Sequence, residues 1–365
     1  MNEQCDLYGW DVSPYTEKVK KYFEYKEIPY RYVNPSIITL SRKIKAVAGK
    51  WIMPVVFDHD GTVTQDSTVI INHYENLFPD KPIFPQSPKI KILCMMVELF
   101  GDEWLPMASL HYRWNYPENY DFIMSEFGSN ALPYMPKFIQ RIAASKLGKQ
   151  LSGYLPKLGI TEKTKAPFEV TVEKLLGLLD AHFEQHSYLF GGQPTLADFS
   201  VYGQLYAHLH RDPYPENLIS KRANLMRWVD TMNNISTSET SGKLFDDELP
   251  ETLVTLLNFM FNLQAPLLRQ SIASVTEWSS GQESGTRVPG RINEADIVFD
   301  DVTEKRFNTT YPYWMFQQIQ DTYFAMDSSE LTQVNSLLQQ LSIADLFEAP
   351  LTSRVDLRKT RLYLQ

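Results

Sequence analysis

Four prolines (Pro79, Pro82, Pro85 and Pro88) fall within residues 78–88, and the hydrophobic period differs on the two sides of them. Proline offers no backbone N–H and disfavours helix at the residue before it, so no regular element crosses this stretch. The chain on either side must fold by a different grammar. Before it, short strand-like and helix-like runs alternate; after it, apolar residues recur at three-to-four spacing over long segments. This divides the 365 residues into an α/β unit over 1–80, a linker at 81–88, an all-helical domain over 89–240, and a mostly helical C-terminal extension over 241–365, expected to pack on the helical domain.

In the first part, Asp6-Leu7-Tyr8-Gly9-Trp10 reads as a strand. Ser13-Pro14 then opens a helix to about Lys26, with proline in the first turn, where its missing N–H costs nothing. Tyr30-Arg31-Tyr32-Val33 alternates as a second strand, parallel to the first if the helix is a right-handed crossover. A less regular, lysine-rich stretch carries Arg42, Lys43, Lys45 and Lys50. Residues 54–58 and 62–64 flank His59-Asp60-Gly61 as a hairpin, and Gln65-Asp66-Ser67 caps a helix through Phe78. The order is β-α-β, connector, β-β-α.

Beyond the prolines, helical patterns cover 89–113, 120–153 with breaks, 168–187, 195–210 and 217–234. Thr195 and Asp198 have the spacing of a capping box. Residues 236–245 read as a junction. After it come helical patterns at 250–278, 312–326 and 329–341 and a possible strand pair near 296–307. The apolar run Leu253 to Leu268 and the segment Tyr311 to Phe316 must find cover.

Acidic residues outnumber basic ones 44 to 35, a net charge of −9 spread along the chain. Such a field repels phosphate backbones and anionic lipid, so neither nucleic acid nor membrane is an expected partner. Cys5 and Cys94 form no disulfide framework, and no Cys/His spacing indicates a metal site. His182 and His186 stand at i and i+4 with no third ligand nearby. With a polar N-terminus and no apolar stretch of about 18 residues, a cytoplasmic protein is expected.

Three places carry chemistry. Ser13-Pro14-Tyr15-Thr16 lies at a helix N-terminus, whose unsatisfied N–H groups and partial positive charge suit an anion. Met53 precedes Pro54, expected in the cis form, which would offer the Met53 backbone as an edge for an extended peptide. Asp66-Ser67 adds a carboxylate and a second helix N-terminus, suited to the ammonium and carboxylate of an α-amino acid. Together they describe a site for a short peptide with a charged head.

The Ser-Pro-Tyr turn, Met-Pro-Val-Val before a hairpin, Asp-Ser capping the next helix and Thr-Leu-Ala-Asp-Phe in the helical part resemble the cytosolic glutathione transferase superfamily over residues 5–234. The resemblance implies a thioredoxin-like N-terminal domain, an all-helical C-terminal domain, and assembly as a homodimer. It implies that Ser13 is the catalytic hydroxyl of a serine-type member, donating to the sulfur of glutathione as co-substrate. Tyr15, Lys50, Met53, Pro54, Asp66 and Ser67 are then its glutathione contacts, with Lys43 the alternative to Lys50 at the glycyl carboxylate. The partner substrate is a small hydrophobic electrophile, and no metal is implied. Gly9 stands where other branches carry a catalytic tyrosine, which leaves Tyr8 on the opposite face of the strand. The aromatic group Trp104, Tyr112, Trp114, Tyr116 and Tyr120 falls where this family builds its co-substrate pocket; a ring-rich core is the simpler reading. A non-catalytic binding or interaction protein on the same scaffold is the alternative function.

Overall fold

A computed structural model of the chain describes residues 4–214, 216–235, 242–246 and 248–365. The elements run β1 (Cys5–Tyr8), α1 (Pro14–Tyr25), β2 (Tyr30–Val33), α2 (Ile37–Thr39), a π-helical turn Leu40–Ile44, α3 (Lys45–Ala48), β3 (Val55–Phe57), β4 (Val63–Gln65) and α4 (Ser67–Leu77). After the prolines come α5 (Pro88–Glu103), α6 (Leu105–Trp114), α7 (Tyr120–Ala131), α8 (Lys137–Ser152), α9 (Lys165–Gln185), α10 (Leu196–Gln204), α11 (Glu216–Ser220), α12 (Ala223–Asn233) and α13 (Glu251–Ser279). The last part holds β5 (Arg291–Phe299), β6 (Val302–Thr309), α14 (Tyr311–Phe324), α15 (Ser328–Gln340), β7 (Val355–Arg358) and β8 (Arg361–Leu364). Residues 236–241 of the expected junction lie outside the described residues.

Two compact units result: Met1–Ile83 with Pro106–Tyr154 and Asp198–Ser241, and Phe84–Leu105 with Leu155–Ala197 and Gly242–Gln365. In the first, a four-stranded sheet has the order β2-β1-β3-β4, with β1 parallel to β2 and the other pairs antiparallel. α1 forms because Ser13 caps it, Pro14 fits its first turn, and Val19, Tyr22 and Phe23 make one fully buried stripe. The lysine-rich stretch, read as irregular, is helical instead. Leu40, Ile44 and Ala48 stand four apart and are almost fully buried, so one apolar stripe suffices while the lysines face solvent. They pack with Tyr8, Trp10 and Val12 against Ile123, Met124 and Phe127 of α7.

In the second unit, α13 packs on α9 and α5, and α14 on α5. The Tyr311 to Phe316 segment is covered: Tyr313, Trp314, Met315 and Phe316 are all buried. The expected strand pair is the hairpin β5–β6, and the mostly helical extension also carries a second hairpin, β7–β8. That hairpin turns at Lys359-Thr360, both at positive φ (47° and 65°), without the Asn-Gly or Asp-Gly pair that normally marks such a turn. Among the described residues no helix is long and apolar enough to cross a membrane.

Glu17 of α1 is 1 % exposed, its Oε1 3.4 Å from Lys20 Nζ and its Oε2 without a hydrogen-bond partner. Burial pushes its carboxyl up from 4.5 to about 7. Between those values the folded state holds more protons than the unfolded one, so this contribution is present at low pH and is lost as pH rises through 7. Glu17→Gln removes the loss. In urea titrations the variant should gain on the parent by on the order of 3 kcal/mol between pH 5 and pH 8; a difference that stays constant with pH would refute the assignment.

Candidate functional site

Strand register gathers the sequence-predicted residues. Tyr8 pairs with Val55 and Val55 with Gln65, both antiparallel, so the end of β1, the start of β3 and the end of β4 share one end of the sheet. Ser13 follows β1, Met53-Pro54 precedes β3, and Asp66-Ser67 follows β4. The Met53-Pro54 bond is cis, as expected. α1 and α4 both begin at this end, each with a set of N–H groups that the helix itself leaves unpaired.

Ser13 is half-buried and caps α1: its Oγ accepts from Thr16 N at 3.4 Å, and its carbonyl accepts from Glu17 N at 3.1 Å. Capping uses a lone pair of the hydroxyl oxygen and does not use its proton, which remains a donor. Asp66 caps α4, its Oδ1 accepting from Thr68 N at 3.1 Å and Val69 N at 3.4 Å. It does so at φ 77°, a left-handed conformation that costs a non-glycine residue about 1–3 kcal/mol and is found most often where function holds it. Ser67 and Pro54 are buried, and Met53 and Tyr15 are half-buried.

Lys50 is exposed just beyond Gly49, which ends α3 in the left-handed region. Lys43, the alternative, is committed elsewhere. It donates to Tyr8 Oη at 2.6 Å and lies over the Tyr8 and Phe57 rings at 4.4 and 4.0 Å. At Gly9 a Cβ would stand 2.2 Å from Thr16 Cγ2, so no tyrosine fits that position. His182 is a core residue: burial pulls its pKa down to about 4, and Nε2 lies 3.0 Å from the Leu189 carbonyl. Among the described residues no His/Cys/Asp/Glu group has the makings of a metal site. Of the aromatic group, Trp104 and Tyr112 are buried, with Tyr112 stacked on Tyr116.

The sequence did not point to what holds the Ser13 loop. Arg113 of α6, 3 % exposed, donates from Nη1 to the Val12 carbonyl at 2.9 Å, one residue before Ser13. Its Nε and Nη2 form a bidentate pair with Asp212, both at 2.7 Å, and Nη2 also donates to the Ala207 carbonyl. Nη1 also donates to His208 Nε2 at 2.9 Å, so the His208 proton sits on Nδ1 and is donated to the Ser109 carbonyl at 2.8 Å. Burial and Arg113 hold His208 neutral, well below the usual histidine range. On the other side Trp10 Nε1 donates to the Pro35 carbonyl at 3.0 Å. α10 approaches α1 so closely that a Cβ on Gly203 would stand 2.3 Å from the Pro14 carbonyl. The only local hint was an arginine and the Asp212/His208 i,i+4 pair within apolar helical patterns.

Residues 7–82 match the family model for the glutathione S-transferase N-terminal domain, and residues 162–231 the model for the C-terminal domain. Over these two segments the chain matches the glutathione S-transferase superfamily, with a thioredoxin-like α/β domain and a helical C-terminal domain, to which further C-terminal helices and strands are added. Among curated relatives, glutathione S-transferase U4 of Arabidopsis thaliana is 28 % identical over 101 residues, which is 28 % of this chain and 45 % of the relative. Isoprene-epoxide–glutathione S-transferase of a Rhodococcus species is 37 % identical over 71 residues, 20 % of this chain and 28 % of the relative. The chain thus spans about half, or less, of the length of the curated relatives it matches. A crystal structure of a glutathione S-transferase from Rhodospirillum rubrum aligns with a TM-score of 0.42 at 15 % identity, covering 70 % of this chain and 92 % of that one.

Removing the Arg113 head group leaves Asp212 buried and unpaired, so Arg113→Met should destabilise the protein by about 3–5 kcal/mol. The double variant Arg113→Met, Asp212→Asn should recover at least half of that loss in chemical denaturation, because the stranded charge is gone. No recovery would mean that the pair is not the source of the effect.

Proposed function

We propose that the protein is a glutathione transferase in which Ser13 stabilises the glutathione thiolate for attack on an apolar electrophile. The observation that carries this reading is the convergence of Ser13, Met53-Pro54 and Asp66-Ser67 at the one end of the sheet where α1 and α4 begin. An extended tripeptide fits that set: Met53 meets its cysteinyl backbone, Asp66 and Ser67 hold its γ-glutamyl head, and Lys50 meets its glycyl carboxylate. Tyr15 lies in the first turn of α1, beside the sulfur subsite, and Pro54 holds the Met53 edge. The homodimer and the cytoplasmic location implied by the family resemblance go with this reading.

The energetics are sufficient. A free thiol has a pKa of about 8.5, and a fall of about two units takes about 2.7 kcal/mol. A hydrogen bond to a charged group supplies about 1.5–3 kcal/mol, and a helix N-terminus about 0.3–1 kcal/mol. The Ser13 hydroxyl donates to sulfur while its oxygen keeps the cap. The thiolate then forms a carbon–sulfur bond, and the electron pair of the broken bond leaves with the displaced group. With Ser in place of Cys, no mixed disulfide forms at this position, so reduction by thiol exchange is not the proposed chemistry.

Ser13→Ala should raise the pKa of bound glutathione by about one to two units, read from the ultraviolet absorbance of the thiolate, and lower turnover at neutral pH by about 10- to 100-fold. Glutathione affinity should change little. Undiminished thiolate formation in the variant would reduce Ser13 to a helix cap, and no glutathione binding at millimolar concentration would remove the transferase reading altogether.

A further inference from the structure

α7 and α8 pack on each other and are joined by residues 132–136, all within the first compact unit and between the two segments that match the family models. Ala144 and Gly148 are the buried residues of α8, and the fit there is close, since a Cβ on Gly148 would stand 2.7 Å from Met124 Cε of α7. That face fixes the helix and leaves the opposite one to solvent.

The outer face is not simply polar. Tyr134 is 95 % exposed, Phe138 66 % and Ile142 58 %, and Met135 is exposed as well. Residues 133–138 are exposed without interruption, so the turn projects from the surface instead of lining a groove. Helical spacing extends the patch along α8: Phe138, Ile142, Ser145 and Lys149 stand at i, i+4, i+7 and i+11, one line down the helix. Apolar side chains gathered in this way on a surface mark a place of interaction.

The charge around the patch narrows the partner. The chain has 44 acidic residues, yet none falls between Phe127 and Tyr154, a stretch that carries Lys137, Arg141, Lys146 and Lys149. The two acidic residues of α7 are already committed, Asp121 to Arg141 at 2.6 Å and Glu126 to Arg211 at 3.1 Å. Arg141 is thereby neutralised, and its guanidinium lies over the Tyr120 ring at 5.5 Å. Lys137, Lys146 and Lys149 are exposed and make no ion pair among the described residues. On the helix, Lys137 and Lys146 flank the Phe138–Ile142 line on opposite sides, and Lys149 continues it. The net charge of −9 is carried elsewhere on the chain, and at physiological ionic strength exposed charges more than about 8 Å away are largely screened.

These features select one occupant. A second copy set symmetrically on this face would place lysines against lysines. A nucleic acid would satisfy the lysines but leave Met135 and Ile142 in water. A folded acidic protein would need a pocket shaped to receive the projecting turn, whereas a lipid surface yields to it. In an anionic bilayer the lysines reach phosphate and carboxylate headgroups, the apolar side chains enter the acyl boundary, and a tyrosine sits where ring and hydroxyl are both satisfied.

We propose that the α7–α8 turn and the outer face of α8 bind the surface of a bilayer containing anionic phospholipid. Tyr134, Phe138 and Ile142 enter the boundary between headgroups and acyl chains, and Lys137, Lys146 and Lys149 rest on the headgroups. The low expectation for membrane that the whole-chain charge gives does not apply to this stretch, whose local charge has the opposite sign.

The test is co-sedimentation of the full chain with phosphatidylcholine vesicles containing about 30 % phosphatidylserine. Half of the protein should be bound at about 1 mM lipid or less, and binding to phosphatidylcholine alone should be at least about tenfold weaker. Raising the salt from about 0.1 to about 1 M should weaken binding by at least about tenfold. The double variants Lys146→Gln, Lys149→Gln and Phe138→Ser, Ile142→Ser should each weaken it by at least about tenfold. Because all four side chains are exposed, the thermal midpoints of both variants should match that of the parent. On the unaltered protein, vesicle-dependent protection from hydrogen exchange should fall within residues 133–150. The proposal is overturned if no binding occurs at about 5 mM lipid, if both vesicle types bind equally, or if protection lies only outside 133–150. It is also overturned if the lysine variant loses binding while the Phe138, Ile142 variant keeps it, since that result describes a purely electrostatic surface of the kind an acidic protein would take.

Discussion

The site depends on a register: Tyr8 opposite Val55, and Val55 opposite Gln65. Side chains alternate along a strand, so a slip of one residue would turn the buried Val55 and Val56 over and carry Met53 about 3.3 Å along the sheet from Ser13. Burial prevents that slip, since Leu7, Val55 and Val56 are all 0 % exposed. Register alone brings the chain to the right end of the sheet but does not hold the loop between Tyr8 and Ser13. Two buried donors do that, Trp10 Nε1 on the Pro35 carbonyl and Arg113 Nη1 on the Val12 carbonyl. Arg113 itself stays in place because Asp212 compensates its charge and Ala207 and His208 take its remaining donors. The helical segments of the first unit thus contribute to the site as a buried clamp on the loop.

What was legible in the sequence was what short-range signals encode. Ser13-Pro14 with the Val19, Tyr22 and Phe23 stripe announces α1, and Asp60-Gly61 between alternating runs announces β3–β4, because cap, turn and period all lie within a few residues. The Leu40, Ile44, Ala48 stripe was hidden by intervening lysines, although every fourth position was apolar. The β7–β8 hairpin was hidden because Lys359-Thr360 adopts a conformation that those residues rarely announce. Arg113 was invisible for a different reason. Its partners Val12 and Asp212 lie about a hundred residues away on either side, and only the folded chain brings them together. The position of Lys43 over the Tyr8 and Phe57 rings had the same character.

The second unit follows the same division. The apolar run of α13 and the Tyr311 to Phe316 segment were readable as faces needing cover, and they are buried. Gln264 was readable only as an interruption in the run from Leu253 to Leu268. That it comes to line one pocket with Arg306 depends on a hairpin some forty residues further on.

The acidic balance of the chain acquires a specific meaning at the end of the sheet. The net charge of −9 opposes an anionic tripeptide at long range, and several nearby cations are already committed: Lys20 to Asp11 and Glu17, Lys43 to Tyr8, Arg113 to Asp212. What remains for an anion is local, the N–H groups and dipoles at the starts of α1 and α4. These act within about one helical turn and fall off before the field of the whole molecule is felt. A site built this way gains little from electrostatic steering and gives up little to the charge of the chain around it, so the acidic balance does not oppose the proposed binding of an acidic peptide. The same locality underlies the double employment proposed for Ser13. The residue that completes the N-terminus of α1 is the one nearest its positive end, so the position that requires a cap is also the position where a hydroxyl proton does most for a thiolate.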